Sequence, residues 1–224
     1  MSDLDRPVWA SLQHQPHWGL GDARARRFKA DINRFAATPD ESADSLSALT
    51  ELVQPGDDCV YLVQVPPIAI PAGLVAVKEA PGVQLLAGRR LPPDDGVQLL
   101  AEADAAEMLA LARLTEPGPF FERTHTMGRF IGIRSEGRLV AMAGERMRCP
   151  GQVEVSGVCT HPDFRGRGLA KRLSAAVAAE IQQRGEQPFL HAWATNTAAI
   201  ALYESLGFVQ RATVNIALLK RRPA

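Results

Sequence analysis

The stretch of this 224-residue chain richest in chemistry runs from Gly157 to Lys171, Gly-Val-Cys-Thr-His-Pro-Asp-Phe-Arg-Gly-Arg-Gly-Leu-Ala-Lys. A strand pattern feeds a turn containing Gly166 and Gly168, and the turn opens an amphipathic helix with a basic first turn. The start of a helix leaves backbone N–H groups unpaired and carries partial positive charge, so such a junction suits an anion, phosphate above all. Glycine lets the backbone take positive φ and approach the anion closely. Arg165, Arg167 and Lys171 can add side-chain charge. Two phosphate loops are excluded: no GxxxxGK[ST] run exists, and a GxGxxG pattern begun at Gly166 meets Lys171 where its third glycine belongs. Taken alone, the Gly-Arg-Gly turn fits a purely structural role equally well.

Carboxylates supply the second chemistry. Glu145 and Glu154 stand among apolar residues of strand-like segments, where an unpaired acid is costly and desolvation raises its pKa toward that of a useful base. Their alternatives are the solvent face or pairing with Arg146 or Arg148. His125 and His161 are weaker candidates for that base. The three cysteines, Cys59, Cys149 and Cys159, have no CxxC spacing and no His-x-x-Cys grouping to suggest zinc, so no metal is expected. Cys159 reads as a small buried strand residue rather than a nucleophile.

Composition narrows the field. Lys plus Arg and Asp plus Glu number 25 each, so no bulk charge draws the chain to nucleic acid or an anionic membrane. Apolar residues at 46% and charged residues at 22% are ordinary for a globular protein. No apolar run approaches the ~20 residues of a membrane span, and the acidic Met1 to Arg6 is no signal peptide. A soluble protein of the reducing cytoplasm is expected.

The elements that must position these residues are legible in part. Residues 1–55 read as polar helical segments, one from Asp40 to Val53 with Leu46, Leu49 and Leu52 at helical spacing. Asp57 to Val65 reads as a strand, the prolines of 66–71 rule out a central strand there, and Leu74–Lys78 and Val83–Ala87 read as two short strands around Pro81-Gly82. A linker is placed at Leu91 to Gly96. Beyond it come a strand (97–100), a helix (101–114), a hairpin (129–134 and 139–147), a strand (153–160), a helix (168–184), a strand (189–194), a helix (197–206) and a closing strand (208–219). This order predicts an α/β or α+β domain with a mixed sheet.

Two motifs give a resemblance. Arg165-x-x-Gly168-x-Ala170 is similar to the (Q/R)xxGx(G/A) signature of the GNAT superfamily of acetyl-CoA-dependent N-acetyltransferases. Asn196-x-x-Ala199-x-x-x-Tyr203-x-x-x-Gly207-Phe208 resembles that family's second signature, and the strand and helix between agree in order. The resemblance covers Val97 to the C-terminus and implies a mixed, mostly antiparallel sheet flanked by helices. Residues 97–224 would be the acetyltransferase domain. Residues 1–92, a smaller α/β region lacking both signatures, would be a degenerate copy of the fold or a lid over the acceptor site.

The resemblance also implies roles. The backbone of Val158, Cys159 and Thr160 would pair with the pantetheine arm of acetyl-CoA by strand addition. The diphosphate would rest on the N–H groups of Arg165, Gly166, Arg167, Gly168, Leu169 and Ala170. Asn196 would cap its helix and, near Ala199, bond the pantetheine. Tyr203 would protonate the leaving thiolate; outside the motif it would read as a core aromatic. Glu145 and Glu154 are the expected base. The implied reaction moves an acetyl group to a primary amine (small molecule, amino acid or peptide N-terminus) by direct attack in a ternary complex. The alternative is a non-catalytic acyl-CoA-binding or sensor module. The Glu116–Phe121 loop is expected beside the acceptor.

Overall fold

The computed structural model describes residues 2–56 and 58–223. Asp57, where the sequence places the start of a strand, lies outside the described residues, as do Met1 and Ala224. The N-terminal segment is less helical than its sequence suggests. Helices α1 (Pro7–His14) and α2 (Ala43–Leu52) flank a small antiparallel sheet of β1 (Gly19–Gly21), β2 (Arg26–Phe28) and β3 (Ala36–Ala37). These strands are two or three residues long, too short for alternation to register.

The main sheet has eight strands. In chain order they are β4 (Cys59–Gln64), β5 (Leu74–Ala87), β6 (Gln98–Leu100), β7 (Phe130–Ser135), β8 (Arg138–Cys149), β9 (Gln152–Thr160), β10 (Gln187–Trp193) and β11 (Phe208–Arg221). Their spatial order is β4-β11-β5-β10-β9-β8-β7-β6, antiparallel throughout except for the β9–β10 pair. Strands β4 and β5 thus belong to the same sheet as the C-terminal strands, and β5 lies between β10 and β11.

Leu74 to Ala87 is one continuous strand, where the sequence suggested two short ones. Pro81 is tolerated because of where it falls. Its carbonyl accepts from Ala194 N (3.1 Å), so its nitrogen faces the β10 side. The last β10 pair is Trp193 with Gly82, and beyond it no ladder bond is forfeited. A Cβ on Gly82 would lie 2.6 Å from Ile216 Cδ1 and 3.0 Å from Ala192 O, so glycine eases the close packing of β5 between β10 and β11.

Helices cover both faces. Helix α4 (Leu169–Gln183) buries Leu173, Ala176, Val177 and Ile181, at helical spacing, against Val153, Val155 and Leu190. Each large side chain so buried contributes roughly 1.5–3 kcal/mol. On the other face α1, β2 and the turn after β2 pack Val8, Leu12, Phe28 and Ile32 on Met147, Phe189 and Val214. Helix α3 (Ala105–Thr115) covers Leu139, Met142 and Cys159 through Met108, Leu111 and Ala112. Helix α5 (Thr197–Ser205) links β10 to β11.

A candidate active site where β9 and β10 part

The two parallel strands pair only at Gln187–Gln152, Pro188–Val153 and Phe189–Glu154. From there β10 stays with β5 and β9 stays with β8, so residues 155–160 of β9 have no ladder partner on the β10 side. A bulge drives the divergence. The β8–β9 register slips between Met142–Cys159 and Gly144–Ser156, leaving an extra residue on β9, and Gly157 there has φ of +63°. Left-handed glycine bulges bend and twist their strand. Glycine is required twice over, since a Cβ at 157 would also lie 2.9 Å from Phe130 Cε1.

The open edge runs toward the turn that opens α4. Gly166 and Gly168 both take positive φ (+76° and +75°), and a Cβ on either would meet nothing within 4 Å, so the turn faces open space. The backbone N–H groups of residues 166–171 have no hydrogen-bond partner among the described residues. Arg165 and Lys171 are likewise without ion pairs there. Arg172 is committed to Asp94, with Nη2 donating to Oδ1 at 2.9 Å, and Arg167 stacks on Phe164 at 4.6 Å. Thr160 Oγ1, at the far end of the edge, is buried with no partner among the described residues. A ligand with amides along its length and a diphosphate at one end fits this row of donors and acceptors.

Across the gap, Asn196 Oδ1 accepts from Ala199 N (3.1 Å) and caps α5, leaving its amide nitrogen uncommitted. Gly207, at φ +92°, ends that helix. Tyr203 packs its partly buried ring on Phe208, centroids 6.0 Å apart. Burial, and after it the Glu154 charge, pushes its phenol up to about 12. The Cys159 thiol points to α3, and burial raises it to about 11, so what Cys159 offers the gap is backbone.

The two acids are paired, and the expectation of raised, base-like carboxylates is corrected for Glu154. Burial pushes its pKa up, but the Arg146 charge and hydrogen bonds from Arg146 and His191 outweigh it and hold the carboxyl near 2. Arg146 Nε and Nη2 donate to its two oxygens at 2.8 Å each, and His191 Nδ1 lies 2.8 Å from Oε1. Glu145 is also buried, with Oε2 accepting from Arg148 (2.8 Å) and Oε1 from Arg184 (2.7 Å) at the end of α4. Both acids thus have their two oxygens in ion pairs with arginines. His125 is buried, Nε2 2.8 Å from Glu102 Oε2. His161 Nδ1 accepts from Asp163 N (3.3 Å) in the turn before α4.

A narrow crevice lies beside the bulge, lined by Pro117, Pro119, Phe120, Phe130, Arg146 and Ser156. The loop bearing Pro117–Phe120 is held to the N-terminal segment: Thr124 Oγ1 donates to Ile32 O (2.6 Å) and Arg123 N to Asp31 O (2.9 Å).

A protein from Novosphingobium aromaticivorans, described as a putative acetyltransferase from the GNAT family, superposes on all of this chain. It is 43% identical, with a TM-score of 0.93 and 100% of each chain covered. The chain is a member of the GNAT family of N-acetyltransferases. The family model described as FR47-like protein matches residues 130–216 of this GNAT chain, the span from β7 into β11. A mycothiol acetyltransferase of Thermobispora bispora is 46% identical over 67 residues, 30% of this chain and 22% of that protein. The [ribosomal protein bS18]-alanine N-acetyltransferase of Salmonella typhimurium is 28% identical over 118 residues, 50% of this chain and 79% of that protein. The chain thus spans less than a third of the mycothiol acetyltransferases it matches. Among the described residues no helix is long and apolar enough to cross a membrane.

Three residues at the site of this GNAT chain have roles that the sequence does not signal: Arg146 and His191, which meet at Glu154 from two other strands, and Gly157, whose positive φ no neighbouring letter announces. A glycine within an otherwise good strand is the one available hint of a bulge.

Proposed function

We propose that the protein transfers an acetyl group from acetyl-CoA to a primary amine, the amine attacking the thioester directly within a ternary complex. The observation that carries this reading is the unpaired β9 edge leading into the bare amides of residues 166–170. Val158, Cys159 and Thr160 would hold the pantetheine arm through backbone. Arg165, Gly166, Arg167, Gly168, Leu169 and Ala170 would hold the diphosphate. Asn196, at the Ala199 end of α5, would bond the arm from the other side. The bound thioester supplies the acetyl group, and everything else falls to the protein's own side chains and amides.

Backbone N–H at the Gly157 bulge would steady the negative charge on the carbonyl oxygen. Tyr203 would supply the proton for the departing sulfur. A phenol near 12 stays protonated at working pH. An ordinary thiol near 8.5 could not take its proton readily. The transfer would therefore be uphill and would run only as the C–S bond breaks, with Tyr203 held against the sulfur. Glu145 and Glu154, expected as the base, would act through the residues they hold: Glu154 orients Arg146 and His191, and Glu145 orients Arg148 and Arg184. The amine's proton would pass to solvent. Residues 97–224 would carry the cofactor, and residues 1–92 would brace the acceptor side through Asp31 and Ile32.

The test is an amine panel, with coenzyme A release followed by a thiol reagent, for the wild type and Tyr203→Phe. The reading expects turnover with at least one amine and a fall in kcat of roughly 100-fold or more in the variant, with coenzyme A affinity kept. Coenzyme A binding without thiol release for any amine would leave an acyl-CoA-binding module instead. Equal turnover by the variant at every pH would remove Tyr203 from the acid role.

A further inference from the structure

Arg146 is the one titratable side chain lining the crevice beside Gly157. Its guanidinium spends Nε and Nη2 on Glu154, while Nη1 donates to no described residue. Nor is Nη1 among the polar atoms sealed from solvent, so its N–H groups open to the crevice. Glu154 is 0% exposed. The ion pair therefore turns its negative end inward and presents only its cationic end. Ser156, two residues along β9, lines the same crevice.

The guanidinium is held unusually firmly. The Phe35 ring lies against it, 4.7 Å from Cζ to centroid. Behind it one hydrogen-bonded row crosses five adjacent strands. Arg146 on β8 holds Glu154 on β9, which holds His191 on β10. His191 Nε2 lies 3.0 Å from Gln84 Nε2 on β5, and Gln84 Oε1 accepts from Arg211 on β11 at 2.9 Å. Arg211 in turn donates to Asp5 at 2.6 Å. Because Gln84 Oε1 serves Arg211, its amide nitrogen donates to His191 Nε2, so the imidazole proton lies on Nδ1, toward Glu154. A buried ion pair is weak evidence of stabilisation, since apolar replacement is often neutral. An immobilised fork with one nitrogen turned to a crevice is instead what recognition of a planar anion needs.

We infer that the amine acceptor carries a carboxylate, which Arg146 Nη1 receives, the rest of the acceptor lying outside the crevice that Phe120 and Phe130 fill against each other, ring centroids 5.6 Å apart. This rests on the acetyl-transfer reading of the site. The carboxylate can belong to a free amino acid or to an acidic residue at a peptide N-terminus; the chemistry at Arg146 is the same.

The experiment uses acetylated products, which have no titrating amine to confuse the comparison. Inhibition constants of N-acetylleucine, N-acetylleucinamide and an N-acetylaspartyl dipeptide amide are measured against the best amine of the panel. The wild type should bind one or both carboxylates about 10- to 100-fold more tightly than the neutral amide, the worth of a charge-assisted hydrogen bond, and which one wins names the carrier. Arg146→Lys should lose most of that preference. Because removing Arg146 alone strands the Glu154 charge, Arg146→Gln/Glu154→Gln is the second variant, checked for cooperative unfolding, and it should not distinguish acid from amide. Equal inhibition by acid and amide in the wild type, or a preference that survives in the double variant, overturns the inference while acetyl transfer stands. If no amine is acetylated at all, the transfer reading and this inference fall together.

Discussion

Glu154→Gln keeps the shape of the side chain and removes its charge, leaving the Arg146 guanidinium buried without a counter-ion. The distance between an ordinary glutamate at 4.5 and the value near 2 held here corresponds to roughly 3 kcal/mol of folding stability. Direct loss of one partner of a buried pair costs about the same, ~3–5 kcal/mol. The sign follows from the direction of the shift. A depressed carboxylate pKa stabilises the fold above the unfolded value, near 4.5, and that stabilisation fades as pH falls toward 2. Urea unfolding at pH 7, 5, 4 and 3 on both proteins measures it. At pH 7 the variant midpoint should lie lower by roughly 1 M, for a slope of about 2–3 kcal/mol per M. The gap should persist at pH 5 and narrow clearly by pH 3, other groups titrating alike in both proteins. Equal midpoints at pH 7, or an undiminished gap at pH 3, would refute the reasoning.

Three further outcomes are expected. Gly157→Ala forces a side chain into the left-handed region and against the buried Phe130 ring; it should cost about 2–4 kcal/mol and at least 10-fold in turnover, read by thermal unfolding and coenzyme A release. Arg165→Glu places a negative charge beside the bare amides of the turn and should weaken coenzyme A binding by about 10-fold or more in calorimetry. Burial raises Cys149 to about 12 and Cys159 to about 11, so iodoacetamide at pH 8 should label the half-buried Cys59 and spare the other two until the protein unfolds, as peptide mass mapping would show.

What was legible in the sequence was what depends on local pattern. The stripe of Leu173, Val177 and Ile181, the cap Asn196 with its helix, and the helix-ending Gly207 are written within a few residues of themselves, and the structure has them where those residues indicate. What was not legible depends on partners distant in the chain. Whether Pro81 breaks a strand depends on where β10 stops, more than 100 residues later. Whether Glu154 is a base or a fixed anion depends on Arg146 and His191, which come from two other strands. The row from Asp5 to Arg146 joins the first 3₁₀ turn to five strands, and no spacing in the letters announces it. Desolvation alone would have made a base of Glu154; the pairing that reverses the outcome is tertiary.

The central claim is that the unpaired flank of β9 and the opening turn of α4 together receive coenzyme A. Amide hydrogen exchange with and without saturating coenzyme A tests it most directly. The account predicts slowed exchange across residues 155–160 and 166–171, with β6, β7 and α2 unchanged. Saturable binding that leaves those two segments exchanging as before would contradict it.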